Sequence, residues 1–284
     1  MTPSTTLSWQ VTLGNVLRRI SVLLFLIALS LYFSSESDRF LTERNLTNIA
    51  QQNAHIVVVT IGMTLTMLVG GIDLSVGSVA ALSGAVSAGL IVRNGLPLEA
   101  SVLLVLAMGF GLGLTNGALV VFGKLPPFVA TLSMMGVARG LTLLYTNGKP
   151  ISGMGDAYTR WGRDSLDLPL IGGVPLPVAV ALVVVVLALL MLTRTRFGLH
   201  IYAVGGHQET SRLAGVPVSR VQLLTYAISG MLAALAGMLL TARLYSAQPQ
   251  MGVGLELEAI ASAVLGGVSL FGGVGNIPGA VVGS

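Results

Sequence analysis

From Leu98 to Phe122 the chain runs twenty-five residues with one charge, Glu99, near its start. A helix of that length rises ~37 Å at ~1.5 Å per residue, enough to cross a ~30 Å hydrocarbon core. Comparable apolar runs occur at Ile20–Phe33, Ala54–Gly71, Leu74–Val92, Phe128–Tyr145, Val174–Leu192, Val221–Thr241 and Ala259–Phe271, and a last one opens at Ile277. Only 9% of the 284 residues are charged, against roughly 25% in a soluble domain. That is too little to solvate a globular surface, and 54% apolar residues is the reverse of a disordered composition. The fold class expected is all-α: a polytopic membrane protein of about eight to nine transmembrane helices in one domain over 1–284. Thirty-six glycines point to close helix packing or broken helices.

The net charge of +4 does not indicate nucleic acid, because the Lys and Arg are strung between apolar runs and form no basic block. The absence of cysteine removes disulfides, thiolate metal sites and cysteine nucleophiles. Arg18 and Arg19 precede a first run of only fourteen residues, ~21 Å of helix. A signal peptide shares that pattern, but Leu31-Tyr32-Phe33 is too bulky for its cleavage site, so a retained helix with snorkelling arginines is expected. The run from Ile277 is too short to span before Ser284, which reads as a dangling half-helix or a C-terminally truncated chain. Lys and Arg divide evenly between the two sides. Arg18-Arg19 beside the first span, together with acids gathered on the opposite side, favours a cytoplasmic N-terminus.

Two loops stand apart. Residues 147–173 hold Pro, Gly, Trp and mixed charge, and read as an extramembrane segment packed on the outer face. In 193–220, Arg194-Thr195-Arg196-Phe197-Gly198 closes one helix; a glycine start at Gly205-Gly206, a short polar stretch containing Glu209, Arg212 and Leu213, and a glycine stop at Gly215 then describe a small extramembrane helix. It is either a lid on the headgroups or a docking surface, and its mixed charge without Trp or multiple Lys favours docking.

Polar residues interrupt the apolar runs at four places. Gly70-Gly71-Ile72-Asp73-Leu74-Ser75-Val76-Gly77-Ser78 is a tight turn with Asp73 as helix N-cap, or a broken helix lining a polar pathway. Both can hold. Gly266-Gly267-Val268-Ser269-Leu270-Phe271-Gly272-Gly273 is a weak echo, and paired interruptions are a trace of internally repeated transporters. Arg139 either faces protein or water, with Asp73 a possible partner, or snorkels to the interface near Tyr145. Asn116, in a glycine-rich helix, suits an interhelical hydrogen bond better than a solute contact.

No P-loop, H-E-x-x-H or G-x-S-x-G pattern occurs, and intramembrane acids are few: Asp73, with Glu256 and Glu258 at a span edge. A pathway without an engine implies a passive channel or an engine on another subunit.

The chain resembles the permease subunits of bacterial ATP-binding-cassette importers for monosaccharides, the ribose/xylose/arabinose/galactoside permease family. The resemblance runs from about Leu41 to Ser284. It rests on Gly62-Met63-Thr64-Leu65, Gly71-Ile72-Asp73-Leu74-Ser75-Val76-Gly77-Ser78, Phe128-Val129-Ala130-Thr131-Leu132, Arg139-Gly140, Tyr145-Thr146-Asn147-Gly148, Ala203-Val204-Gly205-Gly206, Arg212-Leu213-Ala214-Gly215-Val216, Ala242-Arg243-Leu244-Tyr245-Ser246-Ala247-Gln248-Pro249, Leu257-Glu258-Ala259-Ile260-Ala261 and Val264-Leu265-Gly266-Gly267. It implies about ten helices per subunit, a dimer (homo- or hetero-) with a shared central path, and alternating access. It implies a cytoplasmic ATPase subunit that binds ATP and Mg, so that this chain binds no cofactor and is not an enzyme, and a periplasmic sugar-binding protein. The resemblance makes Gly205, Gly206, Glu209, Arg212, Leu213 and Gly215 the coupling helix on the ATPase, 193–220 a cytoplasmic loop and 147–173 a periplasmic one, in the bacterial inner membrane. Family members are about forty residues longer after Gly283-Ser284.

A monosaccharide such as ribose is neutral and hydroxyl-rich, and is best met by hydrogen-bonding groups. Asp73, Ser75, Ser78, Asn116, Thr131 and Arg139 are therefore the translocation-path candidates. An ion-coupled secondary transporter and a branched-chain amino-acid permease are the alternative readings.

Overall fold

A computed structural model of the chain describes residues 24–168 and 172–284. Its helices are α1 (Leu24–Glu36), α2 (Glu43–Leu68), α3 (Val76–Val92), α4 (Leu98–Val121), α5 (Pro127–Thr146), α6 (Gly155–Arg163), α7 (Leu176–Arg194), α8 (Arg196–Gly206), α9 (Gln208–Leu213), α10 (Val218–Leu244), α11 (Leu255–Leu265) and α12 (Ile277–Gly283). Two small antiparallel pairs complete it: β1 (Ile151–Ser152) with β4 (Ser246–Ala247), and β2 (Ser165–Leu168) with β3 (Gly172–Pro175). Among the described residues α4, α5, α7 and α10 are long and apolar enough to cross a membrane.

Helix α10 is the axis of the protein. Alanine, glycine and serine along it let neighbours approach to backbone contact, which in a bilayer replaces the missing hydrophobic drive. A Cβ on Gly230 would lie 2.3 Å from the Gly109 carbonyl of α4, and one on Gly113 would lie 2.1 Å from the Tyr226 carbonyl. On another side α3 runs parallel to α10, since Asp73 meets Ser229, Ala80 meets Gly237 and Gly84 meets Thr241. Helix α2 runs antiparallel, with Gly62 at Ser229 and the Gln52 carbonyl accepting from Arg243 at 3.2 Å. Helices α2 and α3 each pack on α10 rather than along one another. They straddle it.

These pairings fix two ends. At one, α6 covers the end of α10: Tyr158 is buried, and its hydroxyl donates to the Met238 carbonyl at 3.3 Å and accepts from Ser87 at 3.2 Å. Gln51 donates to the Gly162 carbonyl at 2.6 Å. The described part of loop 147–173 thus packs against the bundle through α6. At the other end lie the C-terminus of α2, α8, α9 and the glycine loop before α12.

The link from α2 to α3 is a turn. Gly70 (φ 80) and Gly71 donate to the carbonyls of Met67 and Thr66, at 2.9 Å each, closing α2 with a Schellman cap that only a residue tolerant of positive φ completes. Ser75, not Asp73, is the N-cap position of α3.

The apolar run Ala259–Phe271 departs from expectation. Only Leu255–Leu265 is helical, eleven residues or ~16 Å, too short to span. At Gly266 the chain touches Gly279 backbone (a Cβ would lie 2.3 Å away), and Gly267, Gly272 and Gly273 all take positive φ. The chain therefore folds back as α12 instead of continuing. The first apolar run is described only from Leu24, where it is helical; Arg18 and Arg19 lie outside the described residues.

Candidate functional site

The interruption around Asp73 builds a closed cluster. Asp73 Oδ1 accepts from the Ser75 amide at 3.0 Å and the Ser75 hydroxyl at 2.6 Å, and Oδ2 accepts from Ser229 on α10 at 2.9 Å. Asn116 on α4 donates to Ser75 Oγ at 2.9 Å, the interhelical bond expected of it. All four are fully enclosed. A carboxylate at this depth persists only with such donors around it. The cluster ties the α2–α3 turn to α4 and α10. Thr131 adds a third tie from α5, donating to the Ile72 carbonyl at 3.1 Å. Asn116 Oδ1 and Tyr226 Oη, also buried here, have no protein partner.

A second polar feature sits at mid-depth and reaches the surface. After α10 the chain turns back along the bundle: Tyr245 takes a left-handed cap (φ 53), and residues 246–254 descend without helix until Gly252 lies against Gly77. Gly77 lies between the Asp73–Ser229 and Ala80–Gly237 levels, near the middle of α10. Non-helical backbone at this depth requires donors for its carbonyls. Arg139 on α5 supplies them, donating to Pro249 O at 2.8 Å and Met251 O at 3.0 Å. The snorkelling alternative for Arg139 is thereby excluded, and so is Asp73 as its partner. Helix α11 starts at the same level, where the Glu256 carboxylate stands over Gly77; a Cβ there would lie 2.4 Å from Glu256 Oε2 and 2.2 Å from the Gly252 carbonyl. Arg139 and Glu256 are half-buried, and Glu258, two residues on and turned to another side of α11, is exposed.

The third feature is the α8–α9 end. Gly205 and Gly206 do not start the small helix as expected; they end α8, and the N-cap of α9 is His207, whose Nδ1 accepts from the Thr210 amide at 3.2 Å. Gly205 is required by contact, because a Cβ on it would lie 1.7 Å from the Leu68 carbonyl. Gly215 (φ 82) is the expected stop: its amide and that of Val216 donate to Arg212 and Ser211 carbonyls at 3.0 Å, a second Schellman cap. Ser211 Oγ donates to the Ala203 carbonyl at 2.7 Å, seating α9 on α8. Outward, Glu209 pairs with Arg212, and Leu213 is 81% exposed. Beneath lies a cavity of about 680 Å³ shared with Lys124, Gln222 and Phe271.

Residues 45–284 match the model of the family described as branched-chain amino acid transport system / permease component. The chain is 43% identical over 265 residues to the ribose import permease protein RbsC of Escherichia coli (strain K12), covering 92% of this chain and 81% of that protein. It is 40% identical to RbsC of Bacillus subtilis (strain 168), covering 96% and 84%. Against the D-allose transport system permease protein AlsC of Escherichia coli (strain K12), identity is 37%, over 90% and 77%. No solved structure matches.

The chain belongs to this permease family.

For a permease, the distribution of the nominated residues is informative. Asp73, Ser75, Ser78, Asn116 and Thr131 were nominated for the path, yet all five are buried, four of them in hydrogen bonds that fasten helices. The physical reason is their spacing. Asp73 and Ser75 fold onto each other, and Ser229 and Asn116 close over them. Only Arg139 meets an open face. The sequence reading places Glu256 at a span edge and assigns no role to the 246–254 segment. The signal available was the pair of glycines, Gly252 and Gly254, in Met251-Gly252-Val253-Gly254. Of the residues expected to couple, Gly205 is half-buried at the seat of the unit, and Gly206, Glu209, Arg212, Leu213 and Gly215 are on its surface.

Proposed function

We propose that this permease is the membrane subunit of an ATP-driven sugar importer, with ribose as its sugar. The observation that carries this is the 43% identity to a ribose import permease across nearly the whole chain. The half-buried mid-depth charges Arg139 and Glu256 support it. A charge facing lipid at the level of mid-α10 would cost ~2.5–3.5 kcal/mol, so these two face water or protein instead. Gly136 and Gly140 of α5 have open space around them on that helix, and small residues at this spacing let a second helix approach closely. In this reading two permease copies face each other across a wet path lined by α5 and the 246–258 segment.

The α9 end is cytoplasmic and grips the ATPase through Leu213, Glu209 and Arg212. Loop 147–173 then faces the periplasm and the sugar-binding protein, and the chain sits in the inner membrane with its N-terminus inside. Energy comes from ATP and Mg on the partner. The experiment is uptake of labelled ribose into proteoliposomes holding permease, ATPase and binding protein. Uptake should require ATP, survive a protonophore, and be competed by ribose and not by leucine. Accumulation driven by the permease alone, or blocked by the protonophore with ATP present, would overturn the reading.

A further inference from the structure

Phe271 is the most exposed large apolar side chain among the described residues, at 92%, and the loop that carries it holds it out. Between α11 and α12 the chain turns on Gly267, Gly272 and Gly273, all at positive φ. The Ser269 amide donates to the Val274 carbonyl at 2.8 Å, and Ser269 Oγ accepts from the Phe271 amide at 3.1 Å. The Gly273 amide fastens the loop to the Leu68 carbonyl at 2.9 Å. The ring is a fixed knob. It stands at the α8–α9 end, where it lines the cavity of about 680 Å³ together with Glu209 and Arg212 of α9.

The α4–α5 loop contributes to the same cavity through Lys124. Lys124 takes φ 53 between Gly123 and Leu125, whose amides close α4 on the Ala118 and Leu119 carbonyls at 3.2 Å each. Pro126 and Pro127 follow and leave the loop little freedom. Among the described residues the one ion pair is Glu209–Arg212, so the exposed Lys124 ammonium carries an unpaired charge. A rigid aromatic knob, the exposed Leu213 of α9 and an unpaired cation around one polar cavity have the make-up of a protein interface, with apolar anchors and a charged rim. A membrane surface fits less well, because Glu209 in the lining repels anionic headgroups. A second permease copy also fits less well, because the face proposed for it is on α5 and the 246–258 segment, whereas this knob shares its cavity with α9.

We infer that the ATPase subunit docks on three elements and not on α9 alone: it closes an apolar recess around Phe271 and places an acidic side chain in the cavity against Lys124. The inference rests on the importer reading and adds to it two contacts outside α9 and the chemistry of what meets them.

The test titrates the ATPase onto purified permease in nanodiscs. Phe271→Ser and Lys124→Glu should each weaken binding about tenfold, with the Lys124→Glu deficit shrinking at high salt. Both side chains are exposed, so the thermal unfolding of the permease alone should be unchanged. A second measurement exploits the absence of cysteine from the chain: a benzophenone attached at Phe271→Cys should give a permease–ATPase adduct when the assembled complex is irradiated. Wild-type affinity in either variant, with Leu213→Glu losing binding, would overturn the inference and leave the importer reading standing. An adduct joining two permease copies, or one to lipid alone, would overturn it in favour of a subunit contact or a membrane surface. A wild-type permease that binds no ATPase would remove the importer reading, and this inference with it.

Discussion

Ser229 reaches across 156 positions of sequence to donate a 2.9 Å hydrogen bond to the carboxylate of Asp73. One bond joins the turn between α2 and α3 to the central helix that both straddle. Hydrogen bonds to a charged group contribute ~1.5–3 kcal/mol, and a buried carboxylate stripped of a donor loses its solvation as well. Ser229→Ala should lower the thermal unfolding temperature of the purified permease by several degrees, and Asp73→Leu should abolish recovery of monodisperse protein. Size-exclusion profiles after a heating series would check both; an unchanged profile for Ser229→Ala would show that the bond holds nothing together.

The glycines of α4 divide into two kinds. Gly113 lies where a Cβ would be 2.1 Å from the Tyr226 carbonyl, whereas Gly111 has nothing within 4 Å. Overpacking costs ~1–3 kcal/mol or more where backbone cannot retreat. Gly113→Leu should eliminate folded protein, and Gly111→Leu should accumulate and transport as wild type. Comparable membrane yields for the two would contradict the α4–α10 packing.

Arg139 donates to two carbonyls of the descending segment. Arg139→Leu leaves both unsatisfied at mid-depth, so uptake should fall sharply. Arg139→Lys, which retains a donor of fixed charge, should recover part of it. Equal uptake in Leu and Lys variants would mean that the bonds do not position the segment.

Glu209, Leu213 and Gly215 bear on docking. Glu209→Lys turns the ion pair with Arg212 into a repulsion, Leu213→Glu places a charge on the most exposed apolar side chain of α9, and Gly215→Trp forces a bulky residue to φ 82. Each should reduce co-purification with the ATPase and sugar-stimulated ATP hydrolysis while leaving membrane insertion unchanged. Normal stimulation in all three would remove α9 from the interface.

The sequence made some of this legible and hid the rest for identifiable reasons. Gly215 was readable as a stop because a Schellman cap is local and its glycine stands at a fixed offset from the helix. The apolar stretches of α4, α5, α7 and α10 were readable because length and hydropathy suffice. Helix α11 was overread: Ala259–Phe271 is apolar throughout, and what stops it is Gly266 meeting Gly279, a contact between distant turns. Asp73 was visible as an interruption, but whether it faced a path or a partner depended on Ser229, far along the chain. Glu256 was seen at a span edge because Gln248-Pro249-Gln250 looks like a surface loop; only the fold shows that those residues descend to meet Arg139.

At the seat of α8 the Leu68 carbonyl accepts from the Gly273 amide at 2.9 Å, and Gly205 lies flush against it with no side chain between. Contacts of this kind have no slack. Side chains change rotamer and absorb strain, but backbone abutting backbone passes displacement on undiminished. If α9 takes a push from a partner, as proposed, its route into the bundle runs through α8 to the end of α2 and the loop before α12, with no flexible side chain in between to take up the movement.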